Sequence, residues 1–157
     1  MGLKTVFLVL PLLICAPESF TRQAKEVAPV AAPDAACPVT TPGGKYGNAF
    51  LQTVLWSDGT IIFEPPGPGM VLRDGSLKIK FPWIRHVSGK LSIHGRRLDA
   101  SAPDLRAIVQ DGYRESGFQP SYLIFPTVGC WEVTGSVAGH DLTFVTRVVK
   151  TEAAPVP

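Results

Sequence analysis

No stretch of this chain is long and apolar enough to cross a bilayer as a helix. A span takes about 20 such residues, and the longest uncharged apolar run, Thr5–Ile14 (TVFLVLPLLI), has ten. An excess of one charge is also missing. Fifteen Lys and Arg against 13 Asp and Glu leave +2, far from the basic footprint of a nucleic-acid binder. Catalytic signatures are missing as well. There is no Gly-x-Ser-x-Gly, since Gly135-Ser136-Val137-Ala138-Gly139 places its serine one position early. Gly89-Lys90 lacks the upstream glycine of a phosphate loop. No catalytic residue, and no cofactor, is assigned. Helical periodicity is scarce, whereas apolar residues make up 45%, enough to form a core and to exclude wholesale disorder. Glycine and proline total 30 of 157 residues, well above the usual ~12%. Such a chain is built of short elements and many turns, and its length suits one domain.

The N-terminus has the layout of an export signal. Lys4 supplies a positive charge, and Thr5–Ile14 has the length of a secretory h-region. Leu12-Leu13-Ile14-Cys15 resembles a bacterial lipobox, with Ile14 where such sites carry a small residue. That resemblance implies cleavage before Cys15 and lipidation of Cys15 as the new N-terminus; residues 1–15 are assigned to the signal peptide, of lipoprotein type. Residues 16–36 follow, rich in Ala and Pro, with Pro29 and Pro33 barring helix propagation. They read as a tether holding residues 37–150 clear of a membrane. Residues 151–157 form a polar, proline-containing tail. A membrane enters this reading only through the lipid anchor.

If Cys15 is lipidated or removed, Cys37 and Cys130 remain. In an oxidising compartment two cysteines in one domain predict a disulfide; two buried free thiols are the alternative.

From Gly47 onward, short β-prone segments alternate with turn chemistry. Ala49–Trp56 and Thr60–Glu64 flank Ser57-Asp58-Gly59, and an Asp-Gly step between such runs predicts a hairpin. Pro65-Pro66-Gly67-Pro68-Gly69 opposes regular structure. Ser76–Ile84 sets Leu77, Ile79 and Phe81 on one face against Lys78 and Lys80, with Pro82 predicting an edge or a strand end. Lys90–His94, Tyr122–Phe125, Cys130–Val137 and Leu142–Val149 complete the recognisable strands. Leu105–Val109 fits both periods and is assigned to strand on its shortness. About eight antiparallel strands without a helix predict an all-β sandwich.

The run Phe125-Pro126-Thr127-Val128-Gly129-Cys130-Trp131-Glu132-Val133-Thr134-Gly135 resembles the end of uncharacterised bacterial exported proteins and lipoproteins carrying a Gly-Cys-Trp-Glu-Val-Thr-Gly signature. Cys37-Pro38-Val39-Thr40, Lys80-Phe81-Pro82-Trp83 and Gly117-Phe118-Gln119 are similar to further segments of that group. The resemblance implies an envelope location and an immunoglobulin-like sandwich, and it implies no activity. Physically, Pro126 and Gly129 shape a corner and Trp131 fills the space between the sheets, beside the predicted disulfide.

Two functional readings follow. The preferred one is a non-catalytic envelope module that binds a surface ligand or an envelope protein, with Trp83, Arg85, Tyr113 and Phe118 as the candidate patch, because Trp and Arg dominate interfaces. Trp56, Tyr46 and Tyr122 are further aromatics, and Arg96-Arg97 is a basic pair expected to be solvated. The alternative is a small periplasmic copper-handling protein using His86, His94, His140 and Met70; no tight ligand pair supports it, and no metal site is assigned.

Overall fold

The computed structural model describes Gly2, residues 36–64 and residues 67–151. The segment read as a signal peptide (Gly2 apart, and including Cys15), the segment read as a tether (Ala36 apart) and residues 152–157 lie outside the described residues. The described chain is all-β, with ten strands and no helix. The strands are β1 (Gly44–Gly47), β2 (Leu51–Leu55), β3 (Thr60–Phe63), β4 (Gly69–Val71), β5 (Leu77–Arg85), β6 (Ser92–Arg97), β7 (Arg106–Val109), β8 (Gly117–Phe125), β9 (Gly129–Val137) and β10 (His140–Lys150). They form a six-stranded sheet in the order β1-β2-β5-β8-β7, with β4 also pairing β5, and a four-stranded sheet in the order β3-β10-β9-β6. Every pair is antiparallel except β3 with β10, which is parallel.

Alternation places the core between the sheets. Leu77, Ile79, Phe81 and Trp83 of β5 face Trp131, Val133 and Val137 of β9 and Phe144 and Val148 of β10, all buried. Aromatic rings form the centre of this core: Phe81 stacks on Phe144 at 5.3 Å and tilts against Trp83 at 5.4 Å. The signature tryptophan, Trp131, meets Phe125 edge-on at 5.6 Å and donates its indole N–H to the Thr127 carbonyl at 3.1 Å. Gly135 is required on this face, since a Cβ there would stand 2.6 Å from the Trp83 ring.

Three local expectations are corrected. Ser57-Asp58-Gly59 turns tightly, with the Gly59 N–H on the Trp56 carbonyl at 3.0 Å. Yet β2 and β3 do not pair; the turn carries the chain from one sheet to the other. Gly69, at the end of the proline-rich run, already opens β4. Pro82 lies inside β5, a central strand, not at an edge or an end. The register explains why it is tolerated. Odd-numbered residues of β5 bond to β8, so the missing Pro82 N–H faces the other flank. There β2 pairs only residues 83–85 and β4 only 77–79. The Pro82 carbonyl on that flank accepts the Thr53 hydroxyl at 2.6 Å.

Cys37 and Cys130 form a disulfide across 93 residues, with Cα atoms 5.5 Å apart. It does not lie beside Trp131 in the core. Neighbouring residues on a strand point to opposite faces, so Cys130 faces outward on β9 and is covered by the incoming segment 37–40. Thr40 fastens that segment to β10: its N–H donates to the Val145 carbonyl at 2.9 Å, and its hydroxyl accepts the Val145 N–H at 3.0 Å.

Candidate functional site

The four residues of the sequence-predicted patch divide into two pairs. Trp83 is fully buried, its indole N–H 3.3 Å from the Ser121 hydroxyl. Arg85, the next inward position on β5, is 4% exposed. Neither belongs to a surface patch. The cause is Pro82: because β5 continues through it, Trp83 keeps the inward phase of Phe81 instead of standing at a strand end. Tyr113 and Phe118 do lie at the surface, about half exposed, in edge-to-face contact at 6.0 Å.

Phe118 sits on the outer face of the six-stranded sheet, whose composition is unusual. Register places Ile84 beside Phe118, Pro82 beside Pro120, Lys80 beside Tyr122 and Lys78 beside Ile124. Ile108 continues the Tyr122 row and Arg106 the Ile124 row, while Val54 pairs with Lys45 on the far flank. Apolar side chains therefore run across the face, and the charged groups among them are all cationic. Lys78 Nζ lies 4.0 Å from the Tyr122 ring centroid. The opposite sheet differs: its outer face carries Glu132, Thr134, Ser136 and Thr143, with Arg96 bonded to Glu132 at 2.8 Å. Sequence alternation marked Lys78 and Lys80 as the wet side of a strand. Tyr122 is among the aromatics the sequence offers for a surface, whereas Ile108 escapes it, because Leu105–Val109 is too short to fix a phase.

An open cleft of about 800 Å³ adjoins this face where β5 ends. Arg85 lines it and ties two loops together. One terminal nitrogen donates to the Gly89 carbonyl at 2.5 Å and the other to the Arg114 carbonyl, while Nε has no partner among the described residues. Gly89 N–H in turn donates to the Glu115 carbonyl at 3.1 Å. Tyr113 and Ile108 belong to both the cleft and the outer face.

Two carboxylates are held below their ordinary titration range. The Ser76 hydroxyl and backbone N–H, followed by Arg106, stabilise ionised Asp74. Arg97 does the same for Asp99 at 2.6 Å, more than offsetting partial burial. Both are structural pairings. Arg97 is thus ion-paired and also donates to the Thr127 hydroxyl at 3.1 Å, whereas Arg96 is the exposed member of the basic pair.

The residues named for copper are dispersed. His94 faces outward on β6 opposite Thr134, His140 stacks on Phe50 at 3.5 Å, and Met70 sits on β4 opposite Lys78. His86 follows β5, its backbone N–H bonded to the Phe50 carbonyl at 2.8 Å. Among the described residues, no group of three or more His, Cys, Asp or Glu is arranged to hold a metal. No family model, no curated protein and no solved structure matches this chain.

Proposed function

We propose that this chain is an exported, non-catalytic binding module of the cell envelope, which engages an envelope protein or surface ligand through the outer face of its six-stranded sheet around Phe118 and Tyr113. One observation carries the reading. Aromatic and aliphatic side chains crowd that face, and the strand residues interspersed among them are cationic, without a carboxylate. Exposed apolar patches rimmed by polar groups mark interaction surfaces, and Lys45, Lys78 and Lys80 favour a partner with acidic groups around an apolar centre, Arg106 being already paired with Asp74. The disulfide is compatible with an extracellular or envelope location. The apolar leader, the Cys15 lipobox and the signature resemblance support export and anchoring.

A photo-reactive phenylalanine analogue placed at Phe118, and in parallel at Thr143 on the other sheet, tests the reading in the native envelope. The expected result is a discrete cross-linked species from position 118 that position 143 does not give. Equal labelling from both positions, or none from 118, overturns it.

A further inference from the structure

The cleft beside Arg85 has a feature that the outer face lacks: it exposes backbone. Strand β7 ends the six-stranded sheet, with β8 its one neighbour among the described strands. Register determines where its peptide groups point. The Gln110 N–H donates to the Pro120 carbonyl at 3.2 Å, so 110/120, 108/122 and 106/124 are the bonded pairs of an alternating ladder. Ala107 and Val109 occupy the intervening positions. Their N–H and C=O groups point away from β8, off the edge of the sheet.

The cleft lies along that edge. Ala107 and Val109, which face inward, line it together with outward Ile108 and with Lys90 and Leu91. A cavity touched by both phases of a strand is bounded by the strand's edge and not by one of its faces. Near its start the gap is closed, where the Leu105 N–H donates to the Gly95 carbonyl of β6 at 2.9 Å. Two other edges are blunted: β1 is glycine-flanked with Lys45 exposed, and β6 carries Arg96 and Arg97 and has its Gly95 carbonyl occupied. The edge strands β3 (Thr-Ile-Ile-Phe) and β4 (Gly-Met-Val) are uncharged too, but neither lines the cleft. The last three residues of β7, Ala-Ile-Val, hold no charge and no proline. Protected edges are the rule in β proteins, so an apolar edge beside a cleft calls for an occupant.

We infer that this cleft takes an extended peptide segment of a partner protein, which adds as a strand to β7. The inference rests on the reading of the domain as a binding module and specifies its mode. Main-chain bonds to Ala107 and Val109 supply affinity, and side-chain pockets on alternate residues supply selectivity. Inward side chains of the added segment would fall beside Ala107, Val109 and Leu91, which calls for apolar residues at every second position. Outward ones would lie next to Ile108 and Tyr113. At about 3.3 Å per residue, β7 accommodates one short segment and not an open-ended stack.

The test uses the purified, disulfide-bonded protein and a phage-displayed library of linear heptapeptides. Enriched peptides should alternate apolar residues, and binding should slow hydrogen exchange at the Ala107 and Val109 amides at least tenfold. N-methylation of the bound peptide should follow a two-residue rhythm: one phase lowers affinity tenfold or more, the other leaves it unchanged. Ala107→Pro, which removes an outward N–H and no bond to β8, should weaken binding similarly. The N-methyl series holds even if that variant folds poorly. No enrichment, unchanged exchange at both amides, or methylation effects without alternation overturns the inference. A dimer paired through β7 also overturns it, since the edge would then belong to a second copy. A discrete cross-link from Phe118 without peptide enrichment sinks this inference and leaves the outer-face reading standing, whereas enrichment with no cross-link from Phe118 does the reverse, so the two readings fail separately.

Discussion

Gly135 and Trp83 show how tightly single residues are constrained in this core. The indole of Trp83 lies where any side chain at 135 would stand, so Gly135→Ala forces the ring, Phe81 and Phe144 to shift together. Overpacking of this kind costs about 1–3 kcal/mol, and the expected loss is read from the urea midpoint at unchanged slope. The same contacts explain why the candidate site was half legible. Tyr113 and Phe118 stand out in the sequence only as aromatics, alongside Trp83, and nothing there separates exposed rings from buried ones. Trp83 and Arg85 were misplaced because Pro82 signals a strand end locally, and only the split flank of β5 reveals that its N–H is not needed. Charge gives a second prediction at this scale. The carboxyl of Asp99 is held low by Arg97, so its folded pKa lies below the unfolded value of about 3.9. Its stabilisation is then complete above that value and lost as pH falls through the folded pKa. Thermal midpoints should be level down to about pH 4 and decline below it, and Asp99→Asn should lower the plateau while making the acid decline shallower.

Among the elements, strands with one wet face were the readable ones. Leu77, Ile79 and Phe81 against Lys78 and Lys80 gave β5 its phase, and Trp131, Val133, Gly135 and Val137 gave β9 its core side. The pairing of β3 was not readable. Ser57-Asp58-Gly59 has hairpin chemistry, but chemistry fixes only the local reversal of the chain. Where Thr60–Phe63 goes is decided by Ile61 and Phe63, which bury in the space between sheets when β3 lies parallel to Arg147–Lys150. A parallel pair between residues some 87 positions apart leaves no local trace. The β9–β10 turn yields a prediction. Val137 pairs with His140, leaving Ala138-Gly139 as a two-residue loop with φ of 49° and 80°. Positive φ at both positions is the demand of a type I′ turn, which favours Asn-Gly, and alanine pays about 1 kcal/mol for it. Ala138→Asn should therefore stabilise the domain by about 0.5–1 kcal/mol, visible as a higher melting temperature with the register unchanged in amide NMR.

For the molecule as a whole, one bond bears on stability and is compatible with an extracellular or envelope location. The disulfide closes 93 residues, and the chain-entropy model assigns such a loop roughly 4 kcal/mol. Against the 5–15 kcal/mol that holds a typical domain together, this is a large share. It also fixes the arrangement of segments: segment 37–40 lies over Cys130 and reaches Val145, and Val39 packs against Gly59, where the chain crosses between sheets. Removing the bond should release this segment first and then weaken the β3–β10 pairing beside it. The double variant Cys37→Ala with Cys130→Ala should unfold at a markedly lower urea concentration, a loss of about 4 kcal/mol, and wild type in reductant should shift by a similar amount. Exchange at the Thr40 and Val145 amides should rise earlier than in the β5–β8 centre. A domain that depends so heavily on an oxidised pair would be poorly stable in a reducing cytosol. If the variant instead unfolds with the wild type, the bond is dispensable to folding, and the envelope reading loses its main support within the folded domain.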